Sequence, residues 1–122
     1  MKSATLLEGF VDFPELLDRV EGDQELLAEL LALFQEDLPA SRAGLQEAVA
    51  RGELHEIERT AHALKGMLAN LSAKHTAALA AEIESAARAG ASQRVPELIS
   101  TFNPEIEAFS AALDSFMASA ER

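Results

Sequence analysis

Lys65 and Gly66 each lie about one helical turn after His62, and together the three are the residues of this sequence best suited to chemistry. Imidazole is the side chain that ordinarily titrates around neutral pH, so it can serve as nucleophile, proton carrier or metal ligand. A lysine at i+3 shares its helix face and brings positive charge toward any anion held there. The glycine at i+4 is the odd member. In an exposed helix interior Gly costs about 1 kcal/mol relative to Ala, and a chain with 24 alanines uses the better helix former freely elsewhere. Gly66 therefore implies that space beside His62 is kept open for something wide.

These residues need a helix to hold them, and the sequence supplies a set. Ala and Leu dominate (24 and 18 residues), with no Trp, no Tyr and only 6 Phe. That composition favours helices over sheets, so the fold class is all-α. Asp12 as N-cap and Pro14 just inside the start open a short first helix with Leu16, Leu17 and Val20 on one face. Gly22 ends it and Asp23 caps a second helix, whose apolar face is Leu27, Leu31, Phe34, Leu38, Leu45 and Val49. Pro39 lies inside that run, so a bend is expected there.

After Gly52 the third helix carries Leu54, Ile57, Ala61, Leu64, Leu68 and Leu71 in alternating steps of three and four. This seam is about 26 Å long. Ser72-Ala73-Lys74 is the turn into a fourth helix faced by Thr76, Leu79, Ile83 and Ala86. Gly90-Ala91-Ser92 breaks it before the last, faced by Val95, Leu98, Phe102, Ile106, Phe109, Leu113 and Phe116. Pro104 predicts a kink or a break in that last helix. Short loops between amphipathic helices give an antiparallel up-down four-helix bundle with a short extra N-terminal helix, one domain over residues 1–122.

At about 100° per residue, His62 lies about 135° from the centre of its helix's apolar seam, in a sector with His55, Glu58, Arg59, Lys65, Gly66 and Ala69. It is a solvent-facing imidazole. If the third and fourth helices form a hairpin turning near residue 73.5, residues at one level have numbers summing to about 147. Leu68 then meets Leu79, Ala61 meets Ala86, and His62 falls level with Glu84 or Ser85. Glu84 is one residue past the core position Ile83, so it can flank the groove that holds His62.

Charge and composition exclude several functions. Ten Lys and Arg against 21 Asp and Glu give a net charge of −11, the wrong sign for nucleic acid or an anionic membrane. With no Cys, disulfides, thiolate chemistry and zinc ribbons are out. No stretch approaches the roughly 18 apolar residues of a membrane span. Met1 to Thr5 lead into no signal-peptide core, since Glu8 and Asp12 interrupt it, and a cytoplasmic domain is expected. No nucleotide-binding loop or kinase signature is present, so ATP is not a substrate.

The run from Ala61 through His62, Leu64, Lys65, Gly66 and Asn70 to Leu71 resembles the motif of histidine-containing phosphotransfer (HPt) domains. The resemblance extends through Leu79 to Glu84 and includes Arg19 to Asp23 and Phe34 to Asp37. Met67, where a small residue is common, and Ser72, in place of a frequent glycine, depart from the pattern. The resemblance implies that His62 accepts a phosphoryl group from a receiver-domain aspartyl phosphate and passes it to another receiver. Lys65 would assist the phosphoryl group, Gly66 would admit the partner, and Glu84 would hydrogen-bond the imidazole. In that arrangement Nδ1–H donates to Glu84 while Nε2 attacks phosphorus.

Such a chain is a phosphocarrier rather than an enzyme, expected as a monomer with no cofactor of its own, the receiver bringing Mg²⁺. Its implied partners are response-regulator receiver domains, with a hybrid histidine kinase as a further candidate. Other classes have less behind them. A di-metal bundle needs Glu-x-x-His on two helices, and this sequence offers only Glu58 and His62 at i and i+4. A non-covalent haem site through His and Met stays open. A non-catalytic helical adaptor needs only an exposed face, and it predicts that His62→Gln leaves function intact. His55 and His75 read as surface residues, and Asn70 as a helix-end polar contact.

Overall fold

The computed structural model describes residues 7–120, and the segment read above for a leader, residues 1–5, lies outside the described residues. Among the described residues five α-helices follow one another: α1 (Phe13–Arg19), α2 (Gln24–Arg51), α3 (Leu54–Asn70), α4 (Lys74–Arg88) and α5 (Val95–Ala120), with a 3₁₀ turn at Ser92–Arg94 leading into α5. Helices α2 to α5 form the bundle. Each packs on its chain neighbour, and α2 closes the ring against α5. Among the described residues no helix is long and apolar enough to cross a membrane.

The apolar seams read from the sequence face inward. Leu27, Leu31, Phe34, Leu38 and Leu45 of α2 are buried, as are Ile57, Ala61, Leu64 and Leu68 of α3. From α5 come Phe102, Ile106, Phe109, Leu113 and Phe116. Phe109 anchors the interior, with its ring 5.5 Å from Phe34 and stacked at 5.5 Å on Phe10. Helix α1 covers one end of the bundle. Phe13 meets Phe116 edge-on at 6.0 Å, and the amide of Asp12 donates to the carbonyl of Ser72 at 2.9 Å. Lys74 at the start of α4 pairs with Asp12 and Glu15, tying the two ends of chain at this corner together.

The helix boundaries follow from local chemistry. Asp12 and Asp23 accept from the amides of Glu15 and Leu26, capping α1 and α2. Helices α2, α3 and α4 all end in the same motif, a left-handed residue with paired 6→1 and 5→2 amide bonds. Gly52 and Gly90 fill that position after α2 and α4, where a glycine has no Cβ to strain. After α3 it is Ser72, at φ 57°, whose amide bonds Ala69 while Ala73 bonds Leu68. The glycine that a left-handed turn prefers is missing at the hairpin carrying the candidate residues.

Both prolines lie inside unbroken helices, so the break allowed at Pro104 does not occur. Pro39 does not interrupt α2, and Pro104 neither breaks α5 nor divides it. Both rings lie on exposed faces, where water can take the carbonyls of Gln35 and Ser100 that lose a partner. Buried residues before and after each proline, Leu38 with Leu45 and Phe102 with Ile106, fix both halves of the helix to the core.

Candidate functional site

Helices α3 and α4 make the most extensive contact in the fold. Small residues are frequent among their buried positions: Ala61 on α3, and Ala77, Ala80, Ala86 and Ala87 on α4. Small side chains let the axes approach closely, so a carboxylate on α4 can reach across to an imidazole on α3. Glu84 does so. It is a buried acid, 3% exposed, and its Oε2 lies 2.8 Å from Nδ1 of His62. The hairpin register placed this pair from the sequence, and the two residues are 22 apart in the chain.

Glu84 holds two cations as well. Lys65 Nζ is 2.8 Å from Oε1, and Arg88 Nη2 is 2.7 Å from Oε2. Lys65 beside it holds the Glu84 carboxyl down at about 2, with the His62 hydrogen bond acting in the same direction and burial opposing both. Glu84 is therefore ionised at neutral pH and can only accept. The proton in the 2.8 Å bond belongs to the ring: Nδ1 carries hydrogen and donates to Glu84. In a neutral imidazole that leaves the Nε2 lone pair free. The His62 side chain is 66% exposed, and among the described residues nothing hydrogen-bonds Nε2.

Lys65 does not point into solvent beside the ring. Its ammonium lies on Glu84, and its side chain is about one-third exposed. Its four-carbon stem is long enough to swing toward an anion on Nε2 without moving the helix. Gly66, one turn from His62, faces solvent, and a Cβ built there meets nothing within 4 Å. No neighbour in the fold requires a glycine at this position. Met67 beside it is partly buried and accepts the Ser41 hydroxyl on its sulfur at 3.5 Å.

Arg88 is the residue that the sequence reading missed. The register sum that found Glu84 also sets Arg88 level with Arg59, next to Glu58. The structure brings Arg88 Nε to 2.9 Å from Glu58 Oε2. His55, Glu58, Arg59, His62, Glu84 and Arg88 line one shallow groove of about 270 Å³ between α3 and α4. His55 is exposed at its far end, and His75 is exposed outside it. Among the described residues no three His, Cys, Asp or Glu side chains cluster to hold a metal ion.

The arrangement is an exposed imidazole, oriented by a buried carboxylate and open on its nucleophilic nitrogen. The family model of the Hpt domain matches residues 29–116 of this chain. The chain belongs to the Hpt family. Among solved structures, this Hpt domain is similar to histidine-containing phosphotransfer protein B of Pseudomonas aeruginosa PAO1. The identity is 26%, the TM-score is 0.82, and the match covers 92% of this chain and 97% of the other. Comparison with curated proteins finds no match. Hpt domains are histidine phosphocarriers of phosphorelays, not kinases, and they interact with response-regulator receiver domains.

Proposed function

We propose that His62 is the phosphoacceptor of this Hpt domain, taking a phosphoryl group from the aspartyl phosphate of one receiver domain and delivering it to the aspartate of another. The Nε2 lone pair attacks phosphorus in line as the P–O bond to the donor aspartate breaks, and the aspartate leaves as a carboxylate. The new N–P bond gives the ring a positive charge, because Nδ1 keeps its hydrogen. Delivery reverses the step. Nε2 recovers its electron pair as the acceptor aspartate attacks, and no proton need move at either nitrogen.

The observation that supports this reading is the buried Glu84 carboxylate 2.8 Å from Nδ1. It fixes the tautomer with Nε2 free and lies against the ring that becomes cationic. Positioning and electrostatics dominate phosphoryl transfer, and both are supplied here without a nucleotide site. Lys65 would exchange its bond to Glu84 for one to the phosphoryl oxygens, and Gly66 would let the receiver approach.

The test is to mix the chain with a receiver domain phosphorylated on aspartate and to look for acid-labile, base-stable phosphate. Wild type is expected to carry it and His62→Gln to carry none. Label retained in His62→Gln overturns the assignment. Transfer or partner response left intact in that variant would favour the adaptor.

A further inference from the structure

Two pairs of residues, each one helical turn apart, face one another across the α3–α4 groove: Glu58 with His62 on α3, and Glu84 with Arg88 on α4. Three short contacts link them in order. His62 Nδ1 bonds Glu84 Oε2 at 2.8 Å, Arg88 Nη2 bonds the same oxygen at 2.7 Å, and Arg88 Nε bonds Glu58 Oε2 at 2.9 Å. One turn of α3 backbone closes the circuit from Glu58 back to His62.

From this we propose that Arg88, braced by Glu58, is a positioning residue for His62. The inference rests on the reading of His62 as phosphoacceptor. Without Arg88, Glu84 answers to two donors on different oxygens, Lys65 on Oε1 and His62 on Oε2. Lys65 lies on the far side of His62 from Arg88, so it draws the carboxylate along the groove when unopposed. Arg88 opposes that pull on the oxygen that His62 uses.

A lone exposed arginine would be too mobile for this task, and the side chain of Arg88 is 60% exposed. Its planar guanidinium, however, presents Nε and Nη2 as a rigid fork. With one prong on Glu58 of α3, the other is fixed in space. Glu58 and Glu84 offset Arg88 and Lys65, so the circuit is close to neutral around a neutral ring. Removing the arginine leaves uncompensated negative charge where a phosphoryl group arrives, in a chain already at −11.

A lysine keeps the charge but has a single nitrogen and cannot span both carboxylates. The variants Arg88→Lys, Arg88→Met and Glu58→Gln therefore separate charge from geometry. Arg88 is itself exposed and Glu84 keeps its bonds to Lys65 and His62 in each variant, so all three should fold, which circular dichroism verifies. Two readouts apply: single-turnover transfer from a phosphorylated receiver, with receiver affinity measured separately, and the tautomer of His62 from imidazole ¹⁵N shifts.

The expected result is transfer slowed about tenfold in all three variants, with receiver affinity unchanged for Arg88→Lys and Glu58→Gln and the Nδ1–H tautomer less populated. Full rescue by Arg88→Lys, or a tautomer unchanged in Arg88→Met, overturns the proposal. If wild type itself takes no phosphate, the phosphoacceptor reading fails instead, and the tautomer measurement still decides whether Arg88 orients the ring.

Discussion

Replacing Glu84 with Gln keeps the shape of the side chain and removes its charge, which isolates what the carboxylate does. Two oxygens now serve Lys65, His62 and Arg88 at 2.7 to 2.8 Å. An amide has one oxygen. If that oxygen stays with His62 and Arg88, the NH₂ group faces the Lys65 ammonium and drives it into solvent. A charge-assisted hydrogen bond is worth about 1.5–3 kcal/mol and a neutral one about 1 kcal/mol. The ring that becomes cationic on phosphorylation therefore loses roughly 1–1.5 kcal/mol of stabilisation, about tenfold in transfer rate. Rapid-quench transfer from a phosphorylated receiver measures the rate, and calorimetry should give unchanged receiver affinity. A rate within about twofold of wild type would refute the reasoning.

The same substitution has a pH signature. The Glu84 carboxyl is lowered from 4.5 to about 2 in the folded chain, so it contributes stability above 4.5 that is lost as pH falls through about 2. Wild type should thus exceed Glu84→Gln in stability at neutral pH. The gap, about 2 kcal/mol once solvent screening at the partly exposed Lys65 and exposed His62 side chains is allowed for, should close between pH 4.5 and 2. Urea titrations of both proteins at a series of pH values read it directly, and a constant gap contradicts the assigned cause.

Gly66→Arg should retain full helicity by circular dichroism, and gain up to about 1 kcal/mol from helix propensity, while transfer falls roughly tenfold or more because the receiver is held off. Normal transfer in that variant would show that the open surface is not an approach path. Ser72→Gly should stabilise the domain by about 0.5–1 kcal/mol, because a left-handed residue with a Cβ is strained; thermal melting would show a rise of a few degrees. Phe109→Ala removes the ring shared by Phe10 and Phe34 and should cost about 3–5 kcal/mol in chemical denaturation, with little repacking open to its rigid aromatic neighbours.

Much of this architecture is written in side-chain spacing. The α3 seam from Leu54 to Leu71 fixed which face His62 turns outward, and a tight hairpin at Ser72 narrowed the residue opposite it to Glu84 or Ser85. Those inferences need only helical geometry. The clamp of Glu58 and Arg88 needs rotamers of long side chains, which spacing leaves undetermined: Arg88 could equally have turned to solvent. Lys65 was placed on the correct face, but its ammonium chose a buried carboxylate over water, a choice that depends on how closely α3 and α4 approach. The break allowed at Pro104 is absent for a related reason. Pro39 and Pro104 each remove one hydrogen bond, yet the apolar residues on either side bury enough surface to carry the helix through.

The left-handed turn at Ser72 has a consequence for how such a domain can vary. All of the proposed site lies within one helical hairpin, and the rotational phase of its second arm is set by the number of residues in the connection. One residue inserted or removed there would turn α4 by about 100° about its axis relative to α3. Glu84 and Arg88 would leave the groove together while every contact within each helix survived. The length of that short connection is thus bound to the pairing of His62 with Glu84, although it lies outside the groove itself.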